Sequence, residues 1–292
     1  MSSDTEFVDR AIARLRAAGV ASPEADVWSM VAALRGGSRG EAQAQALIGT
    51  DLLDAERLER FNQWVARREQ REPLWQITGV APFAHLELEV GPGVFTPRPE
   101  TELLAQQAVS EALQVVPAGD WVEVVDLCAG SGAIGLAIAS QVHHSRLLSI
   151  ETSETAASYL QRNIERVAPE RARLVIGDLA EAREYVSPHS VDLVVSNPPY
   201  LVEGEDVLDD ETARFDPPEA LFADDEGMAV VFRVITEAAW LLRPGGVVLI
   251  EHGTGHGEPT RQALREAGFW QVETHQDLLG RDRFSRGVAE SR

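Results

Sequence analysis

The chain has 292 residues, enough for one large domain or for a large and a small one. Apolar residues make up 44% and charged residues 25%, the balance of an ordinary globular protein, and no apolar run approaches the roughly 20 residues of a membrane span. Acidic residues outnumber basic ones 47 to 26, a net charge of −21 that opposes binding to phosphate backbones, and the single cysteine, Cys128, excludes an internal disulfide framework.

The opening "MSSDTEFVDR" has neither the basic start nor the apolar core of a signal peptide, so a reducing, cytoplasmic location is expected. Residues 5–70 read as helices. Phe7, Val8, Ala11, Ile12 and Leu15 share one stripe at helical spacing, and Gly19 ends it. "SPEADVWSMVAALRGG" begins with Ser22 as N-cap and Pro23 in the first turn and stops at Gly36-Gly37. In "DAERLERFNQWVARREQRE" the apolar residues Leu58, Phe61, Trp64 and Val65 again recur three and four apart. Residues 1–72 are therefore expected to form a small helical bundle, an ordinary bundle or a partner-docking module. Residues 73–96, "LWQITGVAPFAHLELEVGPGVF" with its glycine breakers, read as a β-hairpin linker.

From residue 97 the rhythm changes. A helix at 100–115 precedes strand "WVEVVDL", helix 132–141, strand "RLLSIE", helix 153–167, strands "ARLVIG" and "VDLVVSN", helix 226–242 and strand "GGVVLIEH". Val-, Ile- and Leu-rich strands alternating with amphipathic helices imply a mostly parallel sheet covered on both faces. Helix 257–267, then "FWQVETHQ" and "RFSRGVAE", are expected to finish it as an antiparallel hairpin. The fold class is thus α/β, with a Rossmann-like domain of seven strands over 97–292 and a small helical domain before it. The longest loop, 201–225, is acidic, contains prolines and has the length of a lid or clamp.

"VVDLCAGSGAIGLAIA" is a strand, a tight glycine turn and a helix start. Gly130 and Gly132 admit a ligand to the backbone, and Ser131 and Ala133 leave it room. Gly130, Gly132 and Gly135 formally fit the dinucleotide pattern, but Asp126 just before the turn would repel a pyrophosphate and suits an ammonium group. Glu151 closes the next strand, where a carboxylate accepts from both hydroxyls of a ribose. Asp178, in "VIGDLAE", is placed for an adenine amine, and Leu179 for packing on the ring. An ammonium partner and a ribose partner without a phosphate site suit S-adenosylmethionine.

Strand "VDLVVSN" runs into Asn197-Pro198-Pro199-Tyr200 at the carboxyl edge, where such sheets bind ligands. The Asn197 side-chain oxygen and the Pro198 carbonyl can each accept a hydrogen bond, and the two prolines fix their separation. Two fixed acceptors match the two hydrogens of one –NH2, and the Tyr200 ring offers a flat wall. An amide or arylamine nitrogen is a poor nucleophile. Holding both N–H bonds on one side aims its lone pair at a methyl donor, which is catalysis by orientation and electrostatics. No strong general base is required, and none is obvious nearby in sequence. The residues themselves leave adenine, cytosine, guanine and glutamine open as methyl acceptors.

In "REPLWQITG", "FTPRPETE", "DLCAGSGAIGLAIA", "SNPPYL", "RFDPPEALFADDEGM" and "EHGTGHGE", taken in this order, the chain resembles the HemK/PrmC protein-glutamine methyltransferases. "FTPRPETE" discriminates, because NPPY is shared with DNA and RNA amino-methyltransferases. The resemblance implies a class I methyltransferase domain behind a helical domain and a β-hairpin. It implies S-adenosyl-L-methionine as cofactor, S-adenosyl-L-homocysteine as product, and no metal. The implied partner is a peptide chain release factor, methylated on the glutamine of its Gly-Gly-Gln motif in support of translation termination; a monomer is expected, and the charge and the lack of a long apolar run argue against stable nucleic-acid or membrane binding. The target glutamine would be held by Asn197 and Pro198, with Pro199 and Tyr200 around it. The cofactor would touch the turn of Cys128, Ala129, Gly130, Ser131 and Gly132, with Glu151, Leu179 and Asn197, beside Asp126 and Asp178 as read above from the residues. Cys128 departs from the family's first glycine, tolerable if that position needs no positive φ, and is read as inert packing. The family's ribose acid is often Asp where Glu151 stands, and it often has an aromatic residue where Leu179 stands.

In "PRPETE" the prolines stiffen a helix entry and Glu100 falls in its first turn. Arg98 is expected to pair with Glu100 or with acids of the substrate-side loop, and Thr101 to reach the cofactor; all three count as candidate substrate-site residues. His252 and His256 lack metal-ligand spacing. Trp28, Trp64, Trp240 and Met30 are expected in the core. Two other functions remain open: a nucleic-acid amino-methyltransferase that flips a base into the NPPY corner, and a non-enzymatic cofactor-binding module.

Overall fold

The computed structural model describes residues 5–49, 51–115, 119–204 and 208–290. Two compact units emerge: residues 1–80 with 208–215, and residues 81–207 with 216–292.

The smaller unit is helical. Helices α1 (Glu6–Ala17), α2 (Pro23–Arg35), α3 (Arg39–Leu47), α4 (Ala55–Glu69) and α5 (Leu74–Thr78) bury Val8, Leu15, Val27, Met30, Phe61 and Val65. Ser38 caps α3 reciprocally with Glu41, and Asp54 caps α4. Met30 is fully buried as expected, whereas Trp28, Trp64 and, in the larger unit, Trp240 are only partly covered. "LWQIT" is a correction to the predicted linker. Leu74 and Ile77 lie three apart on one buried face, so the segment is a helical turn, closed by Gly79 at φ +82°. The hairpin begins only at β1 (Val80–Phe83) and returns as β2 (Leu86–Glu89).

The larger unit holds a seven-stranded sheet. Its strands are β3 (Val122–Leu127), β4 (Ser145–Glu151), β5 (Ala172–Ile176), β6 (Val191–Ser196), β7 (Leu242–Glu251), β8 (Phe269–Gln276) and β9 (Asp282–Ala289). The spatial order is β5-β4-β3-β6-β7-β9-β8. The first five are parallel, and β9 and β8 close the edge as the predicted antiparallel hairpin. Helices α6 (Thr101–Gln114), α7 (Ala133–Gln141) and α8 (Glu154–Val167) pack into one core cluster. Helices α11 (Ala229–Leu241) and α12 (Gly257–Glu266) pack into a second. A short helix α9 (Ala182–Tyr185) follows β5. The loop predicted at 201–225 is part-structured. It contains α10 (Asp210–Phe215) and a 3-10 turn at Pro218–Ala220, while residues 205–207 lie outside the described residues.

Strand alternation decides which side chains reach the site. Val124, Leu147, Leu193, Val195, Val247 and Leu249 join the α6–α8 cluster; Val125, Leu127, Leu148, Ile150, Val194, Val248 and Ile250 join the other. Continuing the period of two, Asp126, Glu151, Asn197 and Glu251 fall on the α6–α8 face, each at a carboxyl end. Register brings Glu151, Asn197 and Glu251 level with one another, because Leu127 pairs with Ile150 and Ser196, and Ser196 with Ile250, while Asp126 stands two residues before that level, opposite Ser149 and Val195. Strand order reverses at β3 and β6, the switch point where open α/β sheets bind ligands.

Candidate active site

The glycine turn lies between β3 and α7. Gly130 and Gly132 have φ of +57° and +84°, and the Gly132 N–H donates to the Ala129 carbonyl at 2.8 Å. A Cβ on Gly132 would stand 2.4 Å from a Leu160 methyl, so this position admits no side chain. Ala129 and Ser131 are buried within the turn. Cys128 has φ +60°, which corrects the sequence expectation: the position does need the left-handed conformation, at a cost of about 1–2 kcal/mol for a residue with a Cβ. Its thiol is inert, because burial, with the Glu151 charge adding to it, pushes it up to about 12.

Two carboxylates flank the turn. Glu151 accepts from the Gly130 N–H at 2.7 Å through Oε2 and from the Ser153 N–H at 2.8 Å through Oε1. It thereby holds the loop, and each carboxylate oxygen keeps a lone pair for a further donor. Asp126 is buried, accepts from the Gly135 N–H at 3.0 Å through Oδ2, and leaves Oδ1 without a hydrogen-bond partner among the described residues. Burial pushes its carboxyl up to about 7; the Gly135 bond pulls the other way and the Glu151 charge adds to the rise. An orphaned carboxylate oxygen beside a glycine turn lacks a cationic donor, and the ammonium end of S-adenosylmethionine is one. Asp178 caps the 3-10 turn Leu179–Glu181 and pairs with Arg233, both through Oδ1, which leaves Oδ2 for an adenine amine. Leu179 is buried in the core beside it. The donor set fits the cofactor.

At the end of β6, Asn197, Pro199 and Tyr200 are half-buried and Pro198 is buried. The Asn197 amide donates through Nδ2 to the Thr101 Oγ1 at 3.3 Å, which leaves its Oδ1 as an acceptor. Thr101 therefore stands directly behind the Asn197 side chain. Tyr200 donates its hydroxyl to Glu251 Oε1 at 3.2 Å, and burial beside that carboxylate raises the phenol, keeping it protonated. The Tyr200 and Leu201 N–H groups both bond the Leu221 carbonyl, which ties the corner to "PPEALF". Arg98 resolves its two options in favour of the loop, pairing with the buried Asp216 and lying 5.1 Å from the Phe95 ring centroid. Glu100 precedes α6 directly.

Glu251 was not singled out in the sequence, where no strong general base was obvious close to the corner. Its side chain is 2% exposed at the end of β7, and burial pushes it up to about 7 against the Thr101 hydroxyl, the Arg283 charge and the Tyr200 bond. The strand parity shared with Asn197 could have pointed to it. His252 bonds Ser285 Oγ at 2.9 Å and the Gly253 carbonyl at 2.8 Å, and burial lowers it to about 4. Among the described residues no group of three or more His, Cys, Asp or Glu is arranged to hold a metal ion.

Residues 6–79 match the PrmC N-terminal domain and residues 92–215 the methyltransferase small domain. A release factor glutamine methyltransferase of Streptomyces coelicolor is 44% identical over 283 residues, 95% of each chain. This chain belongs to the release factor glutamine methyltransferase family. A 4-amino-L-phenylalanine/4-methylamino-L-phenylalanine methyltransferase of Streptomyces pristinaespiralis is also similar, 40% identical over 212 residues, 72% of this chain and 71% of that one. A methyltransferase structure from Pyrococcus furiosus shares the fold at a TM-score of 0.51, with 18% identity over 82% of this chain and 100% of the other.

In this methyltransferase the segment "ADDEGM" acts on the clamp from behind. Gly227 has φ +81°, and a Cβ there would lie 2.3 Å from the Tyr200 carbonyl oxygen. Gly227→Ala must displace the corner and adopt a left-handed conformation. A loss of about 2 kcal/mol of stability is expected. Because small misplacements in a clamp are costly, turnover at saturating substrate should also fall at least about tenfold. Thermal melts and initial rates check both, and an unchanged rate would mean the corner tolerates the shift.

Proposed function

We propose that the enzyme transfers a methyl group from S-adenosylmethionine to the side-chain amide nitrogen of the glutamine in the Gly-Gly-Gln motif of peptide chain release factors. The observation that carries this reading is the Asn197 amide, fixed by Thr101 so that its oxygen accepts. Asn197 Oδ1 and the Pro198 carbonyl take the two N–H bonds of the target amide, and the Tyr200 ring covers its plane. When bound, S-adenosylmethionine supplies a sulfonium methyl. Asp126 Oδ1 would take its ammonium, Glu151 its ribose, and Asp178 and Leu179 its adenine, over the turn at 128–132. The protein works without a strong base at the nitrogen. It orients the lone pair and offers acceptors to hydrogens that become more acidic as the nitrogen gives up electron density. Arg98, Glu100 and Pro199 line the approach to the clamp.

Family membership favours the release factor, and the net charge of −21 disfavours a nucleic-acid substrate. The Streptomyces pristinaespiralis relative, named for an arylamine, supports a second reading, because two fixed acceptors suit any planar –NH2. Incubation with radiolabelled cofactor separates these readings in parallel reactions. Label should enter a release factor and disappear when its motif glutamine is changed to alanine. Labelling of free 4-amino-L-phenylalanine, or of DNA or RNA, with the release factor left unlabelled, would overturn it.

A further inference from the structure

We propose that Glu251 is a positioning residue whose negative charge sets the direction of the hydrogen bonds behind the clamp, so that Asn197 presents its oxygen, and not its –NH2, to the substrate. The inference rests on the glutamine-methylation reading and goes past it, because neither the clamp nor the cofactor residues require an acid at this place. It begins with the hydroxyl of Thr101, which has one hydrogen to give. Its oxygen receives the Asn197 Nδ2–H at 3.3 Å. Its own hydrogen must go elsewhere, and the carboxylate of Glu251 lies beside it. A carboxylate only accepts. The Tyr200 hydroxyl likewise donates to Glu251 Oε1 at 3.2 Å. One buried anion thus holds the Tyr200 hydroxyl through Oε1, while its Oε2, without a hydrogen-bond partner among the described residues, is open to the Thr101 hydrogen, which leaves Thr101 its lone pairs for Asn197. Only the –NH2 end of the Asn197 amide can bond to a lone pair, so its oxygen faces the other way.

Neutralising Glu251 reverses the logic. A protonated or amide side chain can donate to Thr101, whose hydrogen then goes to Asn197 Oδ1, and the amide turns to present –NH2. Two –NH2 groups then face each other, and the substrate is rejected. The groups facing Glu251 are Thr101 and Glu100 at the start of α6, Tyr200 in the corner and Arg283 on β9. Arg283 lowers the carboxyl and Glu100 raises it, and burial outweighs both. Glu251 Oε2 has no hydrogen-bond partner among the described residues, so its charge is not consumed elsewhere.

The full-length enzyme, labelled cofactor and a release factor provide the test. In the parent, kcat should rise with pH through a limb near 7. Glu251→Gln, close to isosteric, should lower kcat about a hundredfold and remove that limb while KM for both substrates changes less than about threefold. Thr101→Val should give a comparable loss, and Thr101→Ser should recover turnover to within about threefold of the parent. The double variant E251Q/T101V should be no worse than T101V, since both break one chain. Multiplicative losses, or an E251Q enzyme with the parent's pH profile, would overturn the proposal. A readout without turnover separates this from the function itself. The Asn197 side-chain amide resonances, recognised by their absence in N197D, should shift with a midpoint near 7 in the parent and stay fixed in E251Q. A parent enzyme that methylates no release factor would sink the substrate reading, while that titration still decides the role of Glu251; resonances that do not move would overturn it.

Discussion

Asn197→Ala is expected to lower kcat by about three orders of magnitude while cofactor affinity changes less than about threefold. In the proposed clamp the target amide would make its two N–H bonds to Asn197 Oδ1 and to the Pro198 carbonyl. Alanine removes the first and leaves the second, so the amide can pivot about its remaining bond. Loss of one preorganised polar partner in such a site costs roughly a hundredfold to a thousandfold, and free rotation of the nucleophile adds to this. The fold should survive, because Asn197 is half-buried just beyond the last residue of β6 and, among the described residues, its side chain bonds only to Thr101. Asn197→Asp is a sharper control. It keeps an acceptor but cannot donate to Thr101, and it places a second carboxylate near Glu251. It should therefore be nearly as damaging as alanine. Single-turnover rates and calorimetric cofactor binding check the split. If both fall together, Asn197 is chiefly a cofactor ligand and the clamp reading fails.

The positions of the Asn-Pro-Pro corner, the glycine turn and the two strand-end acids could all be read in the sequence, because each is a break in a regular pattern. A strand that ends in Asn-Pro-Pro cannot continue, and a Gly-Ser-Gly turn between strand and helix has one use for its backbone. Strand boundaries also came out well, since Val and Ile runs buried on both faces have no competing reading; "VDLVVSN" was expected as a strand, and β6 occupies all but its last residue with every position buried. What escaped the sequence depended on neighbours distant along the chain. Glu251 lies 54 residues beyond Asn197, and only the register of β6 against β7 brings them level. The backbone of Cys128 escaped too, because a cysteine gives no local sign of positive φ; the requirement comes from closing β3 onto α7 in one tight turn. Helix α10 was taken for loop since six residues carry little periodicity. Its partners lie in the helical unit, where Glu211 meets Arg68 at 2.9 Å and Arg71 at 2.8 Å.

Asp126→Asn is expected to weaken cofactor binding about thirtyfold to a thousandfold, to remove the acid limb of its pH dependence, and to stabilise the ligand-free protein at pH 8. Truncating one partner of a buried, hydrogen-bonded charge pair costs roughly 2–4 kcal/mol, and each 1.4 kcal/mol is about tenfold. The sign of the pH effect follows from the carboxyl's rise to about 7 in the fold, against roughly 4 in an unfolded chain. Protonation favours the fold, so this contribution to stability is complete below about pH 4 and is lost as pH rises through 7. Asparagine is neutral throughout and escapes that loss, which is why the variant should melt higher than the parent at pH 8 without ligand. Binding runs the other way. The Asp126 carboxylate must be ionised to meet an ammonium, so affinity should climb toward pH 7, with proton release below it. Above roughly pH 8 affinity should fall again, as the ligand's own α-amino group loses its charge. The parent should therefore show a bell and D126N only the alkaline limb. Calorimetric titrations at several pH values, in buffers of different ionisation enthalpy, measure both the limb and the released proton. A parent affinity that is flat from pH 5.5 to 7.5 would mean that Oδ1 of Asp126 meets no cation, and the ammonium would have to be placed elsewhere along the turn.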